Sequence, residues 1–389
     1  MIQLPAPRLE IDLDKVFHNA LTLGNRLRKK GISVTGVTKA TLGSPEIAEA
    51  WLAAGIDGLG DSRTENFTTL RAAKVRTPMS LIRTPMLSQV DQVVNLTNVS
   101  FNTELEVIQR LSVAAKKSDI MHEVILMVEL GDLREGIMPA LLEKTLSKVL
   151  KLPNILFTGI GTNLACRSGV SPDCKNMAAL SVIADSLETT FGPIVSVVSG
   201  GNSANLDWAL GKNGEENTGR INNLRLGESL LLGCEPLHRK ILQGMFTTSF
   251  TLIAEVIELS IKPSEPWGEI AQCAFGDIPE QSGTNTGNSV HNGSIKQAIL
   301  AIGRQDIDPE GLIPPLGTII LSASSDHLIL DVTHYRGNIL VGTEIAFQQN
   351  YSSLLRSMTS PFIPKIMNGG SESAKRNGVG YHQLSSSPS

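Results

Sequence analysis

Cysteine is scarce in this 389-residue chain, which has only Cys166, Cys174, Cys234 and Cys273. No two of them form a C-x-x-C pair, and none stands at zinc-site spacing from a histidine. The sequence therefore predicts neither a disulfide framework nor a structural zinc site. We expect free thiols and no bound metal.

Long apolar runs and an excess of positive charge are also absent. No stretch approaches the roughly 18 apolar residues that a membrane-spanning helix requires. The first residues, MIQLPAPRLEID, lack the basic and apolar segments of a secretory signal. The formal net charge of -4 supplies no surplus of cations for nucleic-acid phosphates. These absences favour a cytoplasmic protein that acts on a small molecule, without a nucleic-acid or membrane partner.

Amphipathic stretches alternate with short apolar runs from residue 14 to about residue 233, a rhythm typical of parallel βα units. Eight such units close a (β/α)8 barrel. The sequence therefore predicts an α/β protein with a TIM-type barrel over residues 14–245. The eight strand-like runs are residues 33–38, 56–60, 79–82, 99–101, 124–130, 156–160, 194–198 and 223–226.

Signals for helix starts accompany these runs. Ser44-Pro45 places a capping hydroxyl before a proline suited to the first helical position. The segments 62–65 and 103–106 both have the form of a capping box, with Ser or Thr followed three residues later by Glu. A first helix is predicted from Asp14.

After about residue 245 the pattern changes to strands without intervening helices. We predict a mainly β domain over residues 246–368, which the N-terminal strand in residues 1–13 joins. Residues 281–293 are rich in Gly, Asn, Ser and Thr and predict a loop, and the polar tail 369–389 is predicted to be disordered. The predicted strands are residues 250–259, 295–301, 317–321 and 327–332.

Polar residues follow most of the barrel strands. In TIM-type barrels the active site lies at the carboxyl ends of the strands, so these residues are candidates for its lining. They are Lys39, residues 61–63, Arg83, Asn102, Arg134, Asn163, residues 199–205 and Arg225.

Lys39 directly follows the apolar run ISVTGVT. Burial at the barrel mouth would lower its pKa and make the amine nucleophilic. A solvated loop lysine is the alternative, and position alone favours that alternative.

Two features suggest an anion-binding role. The run SGGNSAN at 199–205 can present backbone N–H groups to a phosphate, although a plain tight turn is an equal alternative. It lacks the spacing of a P-loop or a dinucleotide fingerprint. Arg225 lies in NNLRLGESLLLG, and a guanidinium inside an apolar strand needs a partner. A structural salt bridge is the alternative there.

Several motifs, taken in order, resemble the alanine racemase family of fold-type III pyridoxal 5'-phosphate (PLP) enzymes, and most closely its ornithine racemase branch. The resemblance covers nearly the whole chain up to the tail. The motifs are LEIDLDKVFHNA at 9–20, GVTKATLGSPEIA at 36–48, DGLGDSRTENF at 57–67, ELGDLREGI at 129–137, SGGNSANL at 199–206, LRLGESLLLG at 224–233, AIGRQD at 301–306 and SSDHLILDV at 324–332.

The resemblance implies a set of cofactor-binding residues. Lys39 would carry PLP as a Schiff base and act as one of two bases that move the substrate α-proton. The loop with Ser199, Asn202 and Ser203, together with the backbone near Gly227, would hold the phosphate. Arg225 would hydrogen-bond the pyridine nitrogen.

The resemblance also assigns more distant roles. Arg134 matches an arginine on the phenolate side of the cofactor, and Asn163 stands where the family has a histidine under the ring. Asp326 lies where the second domain completes the partner subunit's site, which implies a head-to-tail homodimer.

Two tyrosines of the family are missing. One is the phosphate-binding tyrosine expected near Ser360-Pro361, and the other is the opposite-face base. Alanine racemases take their opposite-face base from a tyrosine of the second domain, and the corresponding segment 268–280, GEIAQCAFGDIPE, has none. Cys273 and Asp277 are the nearest titratable replacements, so they are the candidates for the second base.

The expected activity is racemisation of ornithine or another basic amino acid, whose distal ammonium could meet Asp277, Glu228 or Asp326. A PLP-dependent D-amino-acid aldolase or lyase is one alternative, but that group needs a divalent metal, and the second domain offers no convincing cluster of ligands. A non-catalytic PLP-binding protein of cofactor homeostasis is the other. Such proteins resemble the barrel alone, whereas this chain has a substantial second domain.

Overall fold

The computed structural model describes residues 5–211, 218–268, 274–275 and 293–370. Within these ranges the chain divides into two units. One combines residues 5–12 with 250–368, and the other combines 13–249 with 369–370. The first strand, β1 (Arg8–Asp12), belongs to the former unit.

Eight parallel strands form a closed barrel in the unit that begins at Leu13, and β9 pairs back onto β2 to complete the ring. The predicted fold class is thereby confirmed. The strands are β2 (Ser33–Val37), β3 (Gly58–Asp61), β4 (Met79–Leu81), β5 (Val99–Asn102), β6 (His122–Met127), β7 (Ile155–Gly161), β8 (Val197–Ser199) and β9 (Asn223–Leu226).

Helices precede β2 and follow most of the barrel strands. None of the helices in the described ranges is long and apolar enough to cross a membrane. The helices of this unit are α1 (Leu13–Arg28), α2 (Pro45–Ala53), α3 (Thr64–Ala72), α4 (Val90–Leu96), α5 (Leu105–Lys117), α6 (Pro139–Val149), α7 (Cys174–Phe191), α8 (Leu206–Leu210) and α9 (Glu228–Leu232).

The helix caps agree with the sequence at one predicted position and differ at two. Ser44 caps α2 by accepting the N–H of Ile47 at 3.5 Å, with Pro45 in the first turn. Both predicted capping boxes are wrong, because α3 and α5 begin later than predicted. The residues at their N-caps are Arg63 and Glu104, whose side chains make no capping bond.

Apolar side chains fill the inside of the barrel. Phe101, Ile125 and Met127 are buried together, and Ile82 and Val197 pack against them. Because alternate residues of a strand face opposite sides, the residues next to Phe101, Ile125 and Met127 within β5 and β6 face the surrounding helices. The polar side chains of a site are thus confined to the carboxyl ends of the strands.

The other unit is built on antiparallel pairing around the long strand β10 (Phe250–Pro263). β10 pairs with β11 and β15, while β1 pairs antiparallel with β10 and parallel with β16. Arg8 on β1 forms two hydrogen bonds with the Glu344 carboxylate on β15, at 2.6 and 2.8 Å. The remaining elements are β11 (Ser294–Leu300), β12 (Leu312–Ile313), β13 (Ile319–Ala323), β14 (Leu328–Asp331), β15 (Glu344–Gln349), α10 (Tyr351–Thr359) and β16 (Lys365–Asn368).

A buried polar group lies outside the barrel wall. The Asn102 amide donates to the carbonyl of Ser100 at 2.8 Å, and the Ser100 hydroxyl contacts His122 Nε2 at 2.8 Å. These residues alternate with Phe101, so they face the helices. Asn102 therefore does not line the mouth, contrary to the expectation from its place at a strand end.

His122 should make the fold sensitive to acid. It is fully buried, and burial lowers its pKa from 6.5 to about 4. The unfolded chain binds this proton more tightly than the folded chain does. The contribution of neutral His122 to the free energy of unfolding is therefore fully present above pH 6.5, and roughly 3 kcal/mol of it is lost as the pH drops toward 4. We expect His122→Gln to remove this dependence in urea unfolding at about pH 7 and about pH 4.5. The exposed control His327→Gln should keep it, and equal slopes for wild type and His122→Gln would contradict the assignment.

Candidate active site

Lys39 lies at the rim of the barrel. It begins a short 3-10 turn, Lys39–Thr41, that follows β2. Its side chain is exposed, so the expectation that low-dielectric walls surround it is wrong. The strand β2 ends at Val37, two residues before Lys39. Thr38, not Lys39, is the residue buried at this end of the strand. The Lys39 charge is nevertheless near Glu228, since it is one of the influences that lower the pKa of that carboxyl.

Hydrogen bonds to Thr38 and Asp61 fix the turn that carries Lys39. The Thr38 carbonyl accepts the N–H groups of Thr41 at 3.0 Å and Gly43 at 3.2 Å. The Thr38 hydroxyl donates to Asp61 Oδ2 at 2.7 Å, and the Asn66 amide donates to the same oxygen at 3.0 Å. Asp61 is fully buried, and burial raises its pKa. Sequence reasoning placed Asp61 at a strand end but missed that it fixes the Lys39 turn.

Arg225 is the buried cation of the site. Its Nη1 donates to Ser199 Oγ at 2.5 Å, and its Nη2 donates to the Thr162 carbonyl at 2.7 Å and to Asn163 Oδ1 at 3.4 Å. The guanidinium carbon lies 4.9 Å from the centre of the Phe101 ring. Within the described residues no carboxylate pairs with it, so the salt-bridge alternative is wrong. Burial lowers its pKa to about 10, which leaves it charged at neutral pH.

Two asparagines extend this network. The Asn202 amide donates to Asn163 Oδ1 and to the Leu164 carbonyl, both at 3.0 Å. Asn163 in turn donates to Cys166 Sγ at 2.9 Å. The Asn163 side chain is therefore oriented by donors on one end and by a sulfur acceptor on the other. The part played by Cys166 was not foreseen, because only the folded β7–α7 loop brings it to Asn163.

The segment after β8 and Gly227 after β9 offer backbone N–H donors for an anion. Ser203 is the first residue of a 3-10 turn, Ser203–Asn205. The N–H groups at the start of a helical turn have no acceptor within the turn itself. None of the described residues accepts the N–H groups of Ser203 and Gly227, and the Ser203 hydroxyl accepts the N–H of Ser229 at 3.3 Å. Gly201 has φ +145, and a Cβ there would lie 2.1 Å from Asn205 Oδ1. This donor set fits an anion such as phosphate.

Arg134 lies on the loop after β6, apart from the hydrogen bonds of Arg225. Its guanidinium forms an ion pair with Glu135, and its side chain is partly exposed. Its charge is close enough to Arg225 to be one of the influences that lower the pKa of that residue. The same loop is tied to the next by Asp132, which accepts the backbone N–H of Arg167 at 2.9 Å.

The remaining predicted site residues are Asp326, Cys273 and Asp277. Asp326 is exposed in the other unit, where its carboxylate accepts the Gln305 amide at 3.1 Å. Cys273 and Asp277, the candidates for the second base, lie outside the described residues.

The described residues contain one group of metal-ligand type, formed by Asp207, Glu235 and His238. It lies in the barrel unit. The Glu235 carboxylate already accepts the N–H groups of Leu237, His238 and Lys240 at 2.7 to 3.1 Å. Those bonds account for its burial without an ion.

The comparisons with known proteins agree with this arrangement. The model of the family "Alanine racemase, N-terminal domain" matches residues 11–234, and the chain belongs to the alanine racemase family. It is 40% identical over 361 residues to the ornithine racemase of Acetoanaerobium sticklandii, which covers 92% of this chain and 99% of the relative. It is 37% identical to the lysine racemase of Thermotoga maritima, over 92% of this chain and 98% of the relative.

The solved structures show the same fold. The alanine racemase from D-cycloserine-producing Streptomyces lavendulae superposes with a TM-score of 0.71 at 17% identity, covering 95% of this chain and 99% of that one. The family model and the two racemase relatives confirm the predicted family.

Proposed function

We propose that the protein is a PLP-dependent racemase of basic amino acids, with ornithine as the first candidate and lysine as the second. The relatives named ornithine and lysine racemase, which match over 92% of the chain, support the reaction and the substrate class. The proposal of a PLP cofactor rests on one structural observation: the guanidinium of Arg225 is buried and donates only to neutral acceptors among the described residues.

The residues present fit PLP. The N–H groups of Ser203 and Gly227 would receive the phosphate, and Lys39 would carry the aldehyde carbon. Arg225, fixed by Ser199 and Thr162, would face the pyridine nitrogen. Bound PLP supplies an electron-withdrawing ring that acidifies the α-proton of an attached amino acid.

Arg225 would select among the reactions that such a ring permits. A guanidinium stays protonated at any working pH, so it would donate to the pyridine nitrogen rather than give up a proton to it. An unprotonated nitrogen withdraws electrons less strongly. We therefore expect Arg225 to favour removal and return of the α-proton over deeper changes at the substrate carbon skeleton.

Lys39 would move the α-proton on one face of the substrate. Its turn is fixed through Thr38 and Asp61, which limits the positions that the amine can reach. A second group must return the proton to the other face. We keep Cys273 and Asp277 as the candidates for it, and a head-to-tail homodimer and a cytoplasmic location as predictions.

Glu228, one of the carboxylates expected to meet a distal ammonium, lies in the described part of the barrel unit. It follows Gly227, its charge is near that of Lys39, and only 13% of its side chain is exposed. Its Oε1 lies 3.2 Å from Arg239 Nη1. A substrate ammonium would add a further cation, beside Lys39 and Arg239, to a carboxylate whose pKa is raised by burial.

The substrate preference can be measured directly. We expect the purified PLP-loaded protein, tested by chiral chromatography on a panel of L-amino acids, to racemise ornithine and lysine faster than alanine and serine. The length and distal charge of the basic substrates supply the difference. Faster turnover of alanine or serine would contradict the proposed substrate class. Release of an aldehyde from a β-hydroxy-D-amino acid would instead favour the aldolase alternative, and bound PLP without any turnover would favour the homeostasis protein.

A further inference from the structure

Arg83 is an arginine for which the described part of the chain offers no partner. It is partly buried, and its Nε is completely buried with no hydrogen-bond acceptor among the described residues. No hydrogen bond or ion pair joins its guanidinium to any described residue. A buried polar atom left without a partner destabilises the fold, and more so when it belongs to a charged group.

The other arginines make this exception informative. Over the described ranges, every other arginine that is not exposed donates to a carboxylate, a hydroxyl or a carbonyl. The arginines that have such partners are Arg8, Arg26, Arg71, Arg220, Arg225 and Arg304. The fold thus satisfies its partly buried guanidinium groups in general, and Arg83 departs from that rule.

The position of Arg83 is defined on both sides. Ile82 before it packs on the apolar interior of the barrel, and the N–H of Ile82 donates to the Asp61 carbonyl at 2.9 Å. The hydroxyl of Thr84 after it lies 2.9 Å from that of Thr103. Pro85 then restricts the backbone further. Arg83 is therefore fixed at the carboxyl end of β4, the end at which barrels of this kind bind their substrates.

We propose that Arg83 binds the α-carboxylate of the amino-acid substrate. This inference rests on the proposed function, which requires a cation for a carboxylate that every substrate carries. Nε and one Nη of a guanidinium form a fork that matches the two oxygens of a carboxylate. The Nε left without an acceptor is one arm of that fork. The other candidate, Arg134, already pairs with Glu135.

The order of strands separates Arg83 from the phosphate site. In the ring from β2 to β9, β4 lies opposite β8, whose loop supplies the Ser203 N–H. It lies two strands from β2, which carries Lys39. A substrate joined to the cofactor near Lys39 is therefore closer to Arg83 than the phosphate is.

The test compares two ligands that differ in the carboxylate alone. L-Ornithine and putrescine are titrated into the PLP-loaded protein, and the half-saturation concentration is read from the change in cofactor absorbance. We expect Arg83→Gln to raise the value for ornithine about 10- to 100-fold and to leave that for putrescine unchanged. Arg83→Lys, which keeps the charge without the fork, should fall between Arg83→Gln and wild type. Arg110→Gln, which removes an exposed arginine on α5, is the matched control and should behave as wild type.

Three results would overturn the inference in distinguishable ways. Equal weakening of ornithine and putrescine, with a lower melting temperature, would make Arg83 a structural residue. A lower affinity for PLP, with discrimination between the two ligands retained, would assign it to the cofactor. If wild type gave no absorbance change with any amino acid and racemised none, the proposed function itself would fail, and the role of Arg83 with it.

Arg83→Gln should have an unchanged or higher melting temperature than wild type in the absence of amino acid, because the substitution removes no hydrogen bond with a described residue.

Discussion

Replacing Lys39 by alanine is expected to abolish both racemisation and the Schiff-base absorbance of the bound cofactor. The variant retains the anion-binding loop but loses the amine that would hold the aldehyde carbon and move the α-proton. Loss of such a group lowers turnover on the order of 10⁴-fold or more. The rates are measured by chiral chromatography and the absorbance on the PLP-loaded protein.

Lys39→Ala should fold normally, because the Lys39 side chain is exposed and makes no hydrogen bond with a described residue. Its melting temperature without PLP should equal that of wild type. Lys29→Ala, which removes another exposed lysine just after α1, should keep full activity and absorbance. A Lys39→Ala protein with the visible spectrum of wild type would contradict the assignment of the Schiff base.

Arg225→Ala is expected to have the second largest effect, on stability as well as on activity. The substitution leaves the buried Thr162 carbonyl without its donor and removes the contact with the Phe101 ring. We expect the free energy of unfolding to fall by roughly 2 to 5 kcal/mol. Racemisation should fall on the order of 10²-fold, because a donor aimed at the reacting system is lost. Urea unfolding and the chiral assay measure the two effects.

Arg225→Lys separates charge from geometry. A lysine keeps the positive charge but cannot donate to Ser199, Thr162 and a cofactor nitrogen in the fixed directions of a guanidinium. Its stability and activity should lie between those of Arg225→Ala and wild type. Arg110→Ala should leave both unchanged. An Arg225→Ala protein as stable and as active as wild type would contradict the role of the buried guanidinium.

The barrel could be predicted from the sequence because each of its strands is a short apolar run bounded by polar or Gly residues. The other unit was predicted less completely. The strands β12, β15 and β16 and the helix α10 were missed, since their sequences are short or only half apolar. The ends of α3 and α5 were misplaced because capping depends on a backbone geometry that the pattern S-x-x-E or T-x-x-E does not guarantee.

The candidate site also combines residues that could be predicted from the sequence with contacts that could not. Lys39 and Arg225 could be recognised because a cation at the end of an apolar strand, or within one, is unusual. The hydrogen bond between Thr38 and Asp61 joins two neighbouring strands, and that between Asn163 and Cys166 depends on a loop. No sequence pattern specifies such contacts between elements. The missing acceptor of Arg83 could be found in the folded chain alone.

The central claim is that the protein removes and returns the α-proton of a basic amino acid with PLP held by Lys39. The most direct test follows L-ornithine and D-ornithine separately in D₂O with the PLP-loaded protein, by chiral chromatography and mass spectrometry. Both reactions should approach the same equal mixture of enantiomers, and the inverted product should carry deuterium at the α-carbon. Retention of both enantiomers without inversion, or inversion without deuterium from the solvent, would contradict it.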